Sequence, residues 1–318
     1  MYKLGIDLGG TNIVAGVVDE NYKILGIGKA KTNAPRPSEE VADDMAKAVF
    51  SAIQNAGVSI DEIDAMGIGS PGAIDAEKGV VAYSNNLGFS NVPLAQMMKD
   101  RVGKDFYLGN DANAAAYGEY IAGAGKGTKN FIAVTLGTGV GGGIIINGEI
   151  YTGLCGVGAE LGHTVIQMNG ETCSCGRNGC FEAYASATAL IRQTKQAMKR
   201  YPNSELWNLC GGKLDNVSGR TAFDAMRKGD FVGCMVVDKY IEYLSVGLSN
   251  IINIFQPEII CIGGGISNEG DNLIVPLRKI IEGENYGRNM KEKVVVKTAD
   301  LGNDAGIIGA AYLCNLYR

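Results

Sequence analysis

Residues 131–150 read Phe-Ile-Ala-Val-Thr-Leu-Gly-Thr-Gly-Val-Gly-Gly-Gly-Ile-Ile-Ile-Asn-Gly-Glu-Ile. Two apolar runs flank a glycine turn, and Asn147-Gly148 is the strongest short hairpin signal in the chain. The pattern predicts strand, glycine turn, strand, polar turn, strand. The chain opens in the same way. With Leu136-Gly137 laid on Leu8-Gly9, the run Ile144 to Asn147 falls on Gly16 to Asp19. Strands are predicted there at 2–8, 12–18 and 23–30, with Gly9-Gly10-Thr11 turning the first pair and Asp19-Glu20-Asn21 the second. Such a duplication predicts two similar α/β domains facing each other across a cleft.

Outward from these runs, a helix is predicted from about Ser38 to Asn55. Val41, Met45, Val49 and Ile53 share one face of it, and Gly57 is placed to stop it. Strands are expected at 64–69, near 105–109 and at 258–262. Helices are expected at 112–122, 182–199, 220–228, 231–255 and 304–316. The expected division is a small N-terminal domain, residues 1–115 plus 304–318, and a larger domain, 116–303, with crossings near 112–122 and 303.

Composition excludes several classes. The net charge of −5, with no long Lys/Arg run, argues against a nucleic-acid surface. No apolar stretch reaches bilayer length, and the N-terminus enters a strand pattern at once, so a cytoplasmic protein is expected. The 46 glycines are roughly twice the usual share, and their clustering at strand ends reads as backbone close to phosphates. Eight cysteines in such a chain point to metal ligation rather than disulfides. Cys155, Cys210, Cys234, Cys261 and Cys314 read mostly as small buried apolar residues.

Three glycine-rich turns follow strands, at 9–11, 137–143 and 263–265. Backbone N–H groups there either serve plain hairpins or cradle the phosphates of a nucleotide, and three such turns favour the cradle. Asp7 beside the first turn is either a Mg²⁺ ligand or a cap on the turn. Asp111, at a strand end before a helix, is either a general base or a helix N-cap, with Asn110 placed to orient a hydroxyl. His163 with Cys173, Cys175 and Cys180 makes a complete tetrahedral Zn²⁺ set, and four protein ligands make such a zinc structural. Reduced thiols or a strained disulfide are the other readings of these cysteines. Glu160 and His163 share a face if their segment turns helically. With Glu182 they would suit a sugar's hydroxyls and repel a phosphate.

In order along nearly the whole chain, Asp7-Leu-Gly-Gly-Thr-Asn12, Gly109-Asn-Asp111, Leu136-Gly-Thr-Gly-Val-Gly-Gly-Gly143, Glu160-Leu-Gly-His163, Cys173-Ser-Cys-Gly-Arg-Asn-Gly-Cys180 with Glu182, and Gly263-Gly-Gly265 resemble the ROK family of sugar kinases and repressors. The resemblance implies an actin-like, ribonuclease H-like ATPase fold of two α/β domains around a central cleft. It implies ATP along Gly9, Gly10, Thr11, Asn12 and Gly137, Thr138, Gly139, with Gly264 and Gly265 near the nucleoside. It implies a hexose bound by Asn86, Asn110, Asp111, Glu160, His163 and Glu182. Asp111 would deprotonate the 6-hydroxyl for attack on the γ-phosphate of MgATP, and zinc on His163, Cys173, Cys175 and Cys180 would hold the sugar wall.

Repressors of this family carry an N-terminal winged helix-turn-helix. A phosphate strand beginning at residue 2 leaves no room for one, so the enzyme is expected. Among the enzymes, Glu160-Leu-Gly-His163 with the full cysteine set is similar to the bacterial glucokinase group. Phe89 stands in the run Asn86-Leu87-Gly88-Phe89, near where that group commonly has Trp. The expected activity is 6-phosphorylation of glucose by a homodimer or homotetramer. The alternatives are a kinase for fructose, mannose, allose or N-acetylmannosamine, or a non-catalytic sugar sensor.

Overall fold

The computed structural model describes residues 1–154 and 156–316; Cys155, read above as buried, lies outside them, as do residues 317 and 318. Contacts group the chain into two units, Met1–Ala133 with Gly143–Ala159 and Asp300–Arg318, and Val134–Gly142 with Glu160–Ala299.

The first unit begins with β1 (Tyr2–Leu8), β2 (Asn12–Val18), β3 (Ile24–Lys31), α1 (Ser38–Ala56) and β4 (Ile63–Ser70). There follow β5 (Ala73–Asp75), β6 (Val80–Ser84), β7 (Phe89–Val92), α2 (Leu94–Val102), β8 (Phe106–Asn110) and α3 (Asp111–Ala122). The main sheet has the order β3-β2-β1-β4-β8. Its first three strands form an antiparallel meander, whereas β1, β4 and β8 run parallel. Helix α1 forms as its periodicity demands: Val41, Met45 and Val49 are fully buried and Ile53 nearly so. Each such side chain contributes about 1.5–3 kcal/mol. Gly57 ends the helix at φ 70°, a left-handed cap that glycine adopts without strain.

The chain then repeats the plan with β9 (Phe131–Leu136), β10 (Val140–Ile146) and β11 (Glu149–Ile150). Asn147 and Gly148 turn the β10–β11 hairpin with φ of 53° and 86°, both positive as a type I′ turn requires. Beyond the cysteine loop come α4 (Glu182–Ala185), α5 (Ala187–Arg200), α6 (Glu205–Leu209), α7 (Thr221–Arg227), α8 (Phe231–Phe255), β12 (Ile259–Gly263), α9 (Asp271–Glu284), β13 (Val295–Thr298) and α10 (Asp304–Ala311). The second sheet has the order β11-β10-β9-β12-β13, with β12 and β13 parallel. Strand for strand this is the order of the first sheet, so the duplication extends well past the two runs that betray it.

Several expectations need correcting. The helix expected over 182–199 is two helices, because Ser186 leaves helical geometry at ψ 163° and its hydroxyl accepts from Ala189 N at 3.0 Å to cap α5. The helix expected over 304–316 stops at Ala311 and gives way to a tighter 3₁₀ turn, Leu313–Asn315. The small sheet β5-β6-β7 and α2, α6, α9 and β13 had no counterpart in the sequence reading.

The glycines also read differently in three dimensions. Several lie in mid-strand or mid-helix rather than at phosphate turns. A Cβ on Gly5 would run into the Ile307 carbonyl and one on Gly67 into that of Ala310, so α10 lies directly on β1 and β4. Gly26 and Gly28 admit α1 against β3 in the same way. Helix α3 packs on α10 through Gly118 and Gly309, each against a backbone carbonyl. That contact keeps α3 inside the first unit, past the boundary expected at 115.

Candidate active site

In the first unit the parallel strands β1, β4 and β8 end side by side. Asp7 pairs in register with Gly69, Gly69 with Gly109 and Ser70 with Asn110, which brings the Asp7 and Asn110-Asp111 ends across one strand from each other. Carboxyl ends of parallel strands are where α/β folds place working residues. Asn110 caps α3: its Oδ1 accepts from Ala112 N at 3.0 Å and from Asn113 N at 3.1 Å, and its Nδ2 donates to Gly72 O at 3.1 Å. Asp111 is therefore the first residue of the helix and not its N-cap. Its Oδ1 accepts from the neighbouring Ala112 N at 2.9 Å. Burial first, and then the negative charge of Asp111, pushes the Asp7 carboxyl up to about 6. A bound cation would relieve the charge that burial and Asp111 disfavour at Asp7.

The first glycine turn is held from the end of β3. Gly9 N donates to Asn12 O at 2.9 Å, Thr32 N to Thr11 O at 3.0 Å, and the Thr32 hydroxyl to Gly9 O at 2.6 Å. Thr32 is fully buried, and its role had no signal in the sequence. Asn86 lies on the exposed turn after β6, where the buried Leu87 anchors the chain, and its Cβ would stand 3.7 Å from one placed on Gly10. Asp7, Gly9 to Asn12, Asn86, Asn110 and Asp111 thus belong to one neighbourhood.

In the second unit the turn Gly137–Gly139 closes with Gly137 N donating to Gly139 O at 3.0 Å. Helix α5 docks on it: Ala187 N donates to Gly137 O at 2.9 Å and the Thr188 hydroxyl to Thr138 O at 2.8 Å. Gly264, at φ 84°, lies so close to the Leu136 carbonyl that no Cβ fits between them. The turns at 137–139 and 264–265 are therefore assembled on the end of β9.

Val140, the first residue of β10, organises the acidic groups. Its amide donates to Glu182 Oε2 at 3.0 Å, and its carbonyl abuts Gly162, where a side chain would collide. Gly162 lies in the 3₁₀ turn Leu161–His163, which Glu160 precedes as N-cap residue, and His163 N donates to Glu160 O at 3.0 Å. Glu160 is exposed, while His163 and Glu182 are half-buried. Glu182 is anchored by its neighbour Phe181, fully buried against Gly247 of α8.

The ligand atoms of His163, Cys173, Cys175 and Cys180 all lie within 4.8 Å of one another. Cys175 Sγ is 3.7 Å from Cys180 Sγ, and Cys173 Sγ is 3.6 Å from His163 Nδ1. A tetrahedron with Zn–S bonds of about 2.3 Å and Zn–N bonds of about 2.05 Å has edges of about 3.8 and 3.6 Å. The donor set fits zinc, and the sulfurs are far beyond the roughly 2.05 Å of a disulfide. Nδ1 faces the sulfurs, which leaves Nε2 for other partners. Burial, followed by the neighbouring thiols, pushes Cys180 up to about 12, whereas the backbone bond at Arg177 lowers Cys175. The knuckle closes through Cys173 N to Arg177 O at 2.8 Å and Phe181 N to Thr164 O at 2.7 Å. Gly179, at φ 82°, passes too close to the Gln167 carbonyl for any other residue. Cys210, Cys261 and Cys314 are buried as expected; Cys234 is half-exposed.

The ROK family profile matches residues 3–316. A glucokinase of Thermotoga maritima is 40% identical over 309 residues, covering 97% of this chain and 95% of its own. A glucokinase of Streptomyces coelicolor is 41% identical over 316 residues, covering 98% and 96%. The crystal structure of a ROK family glucokinase from Streptomyces griseus in complex with glucose and AMPPNP superposes with a TM-score of 0.84 at 38% identity, covering 98% of this chain and 99% of that one. The actin-like ATPase architecture is shared with these structures.

Proposed function

The chain belongs to the ROK family, and from that premise we infer that it is an ATP-dependent glucokinase, moving the γ-phosphoryl group of ATP to the 6-hydroxyl of glucose. Near-full-length similarity to glucokinases at about 40% identity supports the activity and the sugar. The observation that carries the chemistry is the placement of Asp111, which heads α3 at the carboxyl end of β8, near enough to Asp7 for its charge to act on that carboxyl.

Phosphoryl transfer asks little covalent chemistry of a protein beyond positioning, charge neutralisation and a base for the attacking hydroxyl. Asp111 accepts the proton of the 6-hydroxyl as that oxygen attacks. Asn86, Asn110, Glu160, His163 and Glu182 hold the remaining hydroxyls, His163 through Nε2. Backbone amides at Gly9, Gly10, Thr11, Asn12, Gly137, Thr138 and Gly139 take the phosphates, with Gly264 and Gly265 at the nucleoside. Asp7 would hold Mg²⁺, which would supply positive charge to the phosphates. His163, Cys173, Cys175 and Cys180 would hold a zinc that is structural, since four protein ligands would leave no place for a reacting water. The family resemblance further supports a cytoplasmic homodimer or homotetramer. Among the described residues no helix is long and apolar enough to cross a membrane.

The test is ADP release from MgATP against glucose, fructose, mannose, allose and N-acetylmannosamine. A kcat/KM preference for glucose is expected. A preference for another hexose would reassign the substrate, and silence across the panel from folded protein would overturn the kinase.

A further inference from the structure

Glu182 is held at both oxygens by groups that the reaction itself does not require. Oε2 accepts from Val140 N at 3.0 Å, and Oε1 accepts from the Ser174 hydroxyl at 3.0 Å. Ser174 is the middle residue of Cys173-Ser-Cys175, so its backbone is fixed by the two candidate zinc ligands that flank it. Val140 follows directly on the turn Gly137–Gly139, and Gly139 itself lies so near Glu182 Oε2 that no side chain fits between them. One carboxylate therefore links the cysteine knuckle to the glycine turn.

We propose that Ser174 is a positioning residue for Glu182: its hydroxyl and the Val140 amide clamp the carboxylate in the orientation that receives the sugar. This rests on the reading of Glu182 as a sugar ligand. Two donors on one carboxylate, one per oxygen, remove the rotation about its last side-chain bond. The Cys173 sulfur also lies 3.5 Å from Oε1. A cysteine that ligates a metal has no proton to donate, so the Ser174 hydroxyl is the donor that persists in a metal-loaded knuckle. The exposed setting of Ser174 means that a substitution there removes the bond without opening a cavity.

The experiment compares Ser174→Ala and Ser174→Thr with the parent chain. A hydrogen bond to a charged group is worth roughly tenfold in binding. In Ser174→Ala the glucose KM and the calorimetric glucose Kd are expected to rise about tenfold, and kcat and the KM for ATP to change less than threefold. Zinc content per chain should stay at the parent value, and exchange of the Val140 amide with solvent, followed without any sugar, should speed up severalfold. Ser174→Thr, which keeps the hydroxyl, should restore each of these. Zinc loss in step with the rise in KM would mean that Ser174 serves the knuckle alone and would overturn the proposal. Unchanged Val140 exchange in the alanine variant would overturn it whatever sugar the chain takes. A parent protein that neither binds a hexose nor releases ADP would instead remove the kinase reading.

Discussion

We read Asp111 as the proton acceptor of the first unit and Asp7 as its place for a cation. Replacing Asp111 by Asn keeps its size and removes the base, so kcat should fall by about 10²–10⁴ while calorimetric glucose affinity stays within a few-fold of the parent. A near-normal kcat would refute Asp111 as the base. Asp7 has a pH signature of its own. Folding raises its pKa from 3.8 to about 6, so the folded state holds this proton more tightly than the unfolded chain does. The group's contribution to stability is therefore lost as pH rises from about 4 through 6, leaving a destabilisation on the order of 3 kcal/mol at pH 7. Asp7→Asn should accordingly raise the Tm of nucleotide-free protein at pH 7, and the gain should shrink towards zero as pH falls below 6. MgATP, offering the missing positive charge, should raise the Tm of the parent more than that of the variant. Equal Tm gains at pH 5 and pH 8 would show that the Asp7 charge is not strained.

At the scale of elements, the acidic groups of the second unit are held by contacts between loops. The glycine turn after β9, the 3₁₀ turn at His163, the cysteine knuckle and the start of α4 all meet at Val140 and Glu182. Gly139→Ala should displace Glu182 and raise the KM for glucose and for ATP together, at least tenfold each, because the added methyl has only the carboxylate or the turn to push against. An ATP effect with no sugar effect would mean that the turn yields instead. Cys175→Ser should lower bound zinc, measured by atomic emission, and raise the glucose KM, since Cys175 is one of the four candidate ligands. Full zinc occupancy with parental kinetics would take the metal out of sugar binding.

For the molecule as a whole, glycine sets how closely helices approach sheets and one another. At Gly309 the α10–α3 contact leaves no room for a Cβ beside the Ala114 carbonyl. Gly309→Ala should destabilise by roughly 2–3 kcal/mol and lower the Tm by several degrees, without a change in the KM of either substrate in what remains folded. The repeated strand pattern, the α1 stripe, the Asn147-Gly148 hairpin and the histidine–cysteine set were legible in the sequence because each is a local rule: a period, a turn dipeptide, a ligand count. The α4–α5 break was not, since the apolar pattern runs through Ser186 and only its capping geometry interrupts it. Nor was the cap of α3, which falls to Asn110 rather than to Asp111. The roles of Thr32, Val140 and Ser174 likewise depend on partners distant in the chain or on backbone amides, which carry no residue label. Sequence by itself determined the duplicated α/β plan, the candidate metal ligands and the family, because those depend on residue types at set spacings. Tertiary structure alone decided which glycines bring backbones together and which carboxylates are clamped, because those depend on distances across the fold that no spacing along the chain encodes.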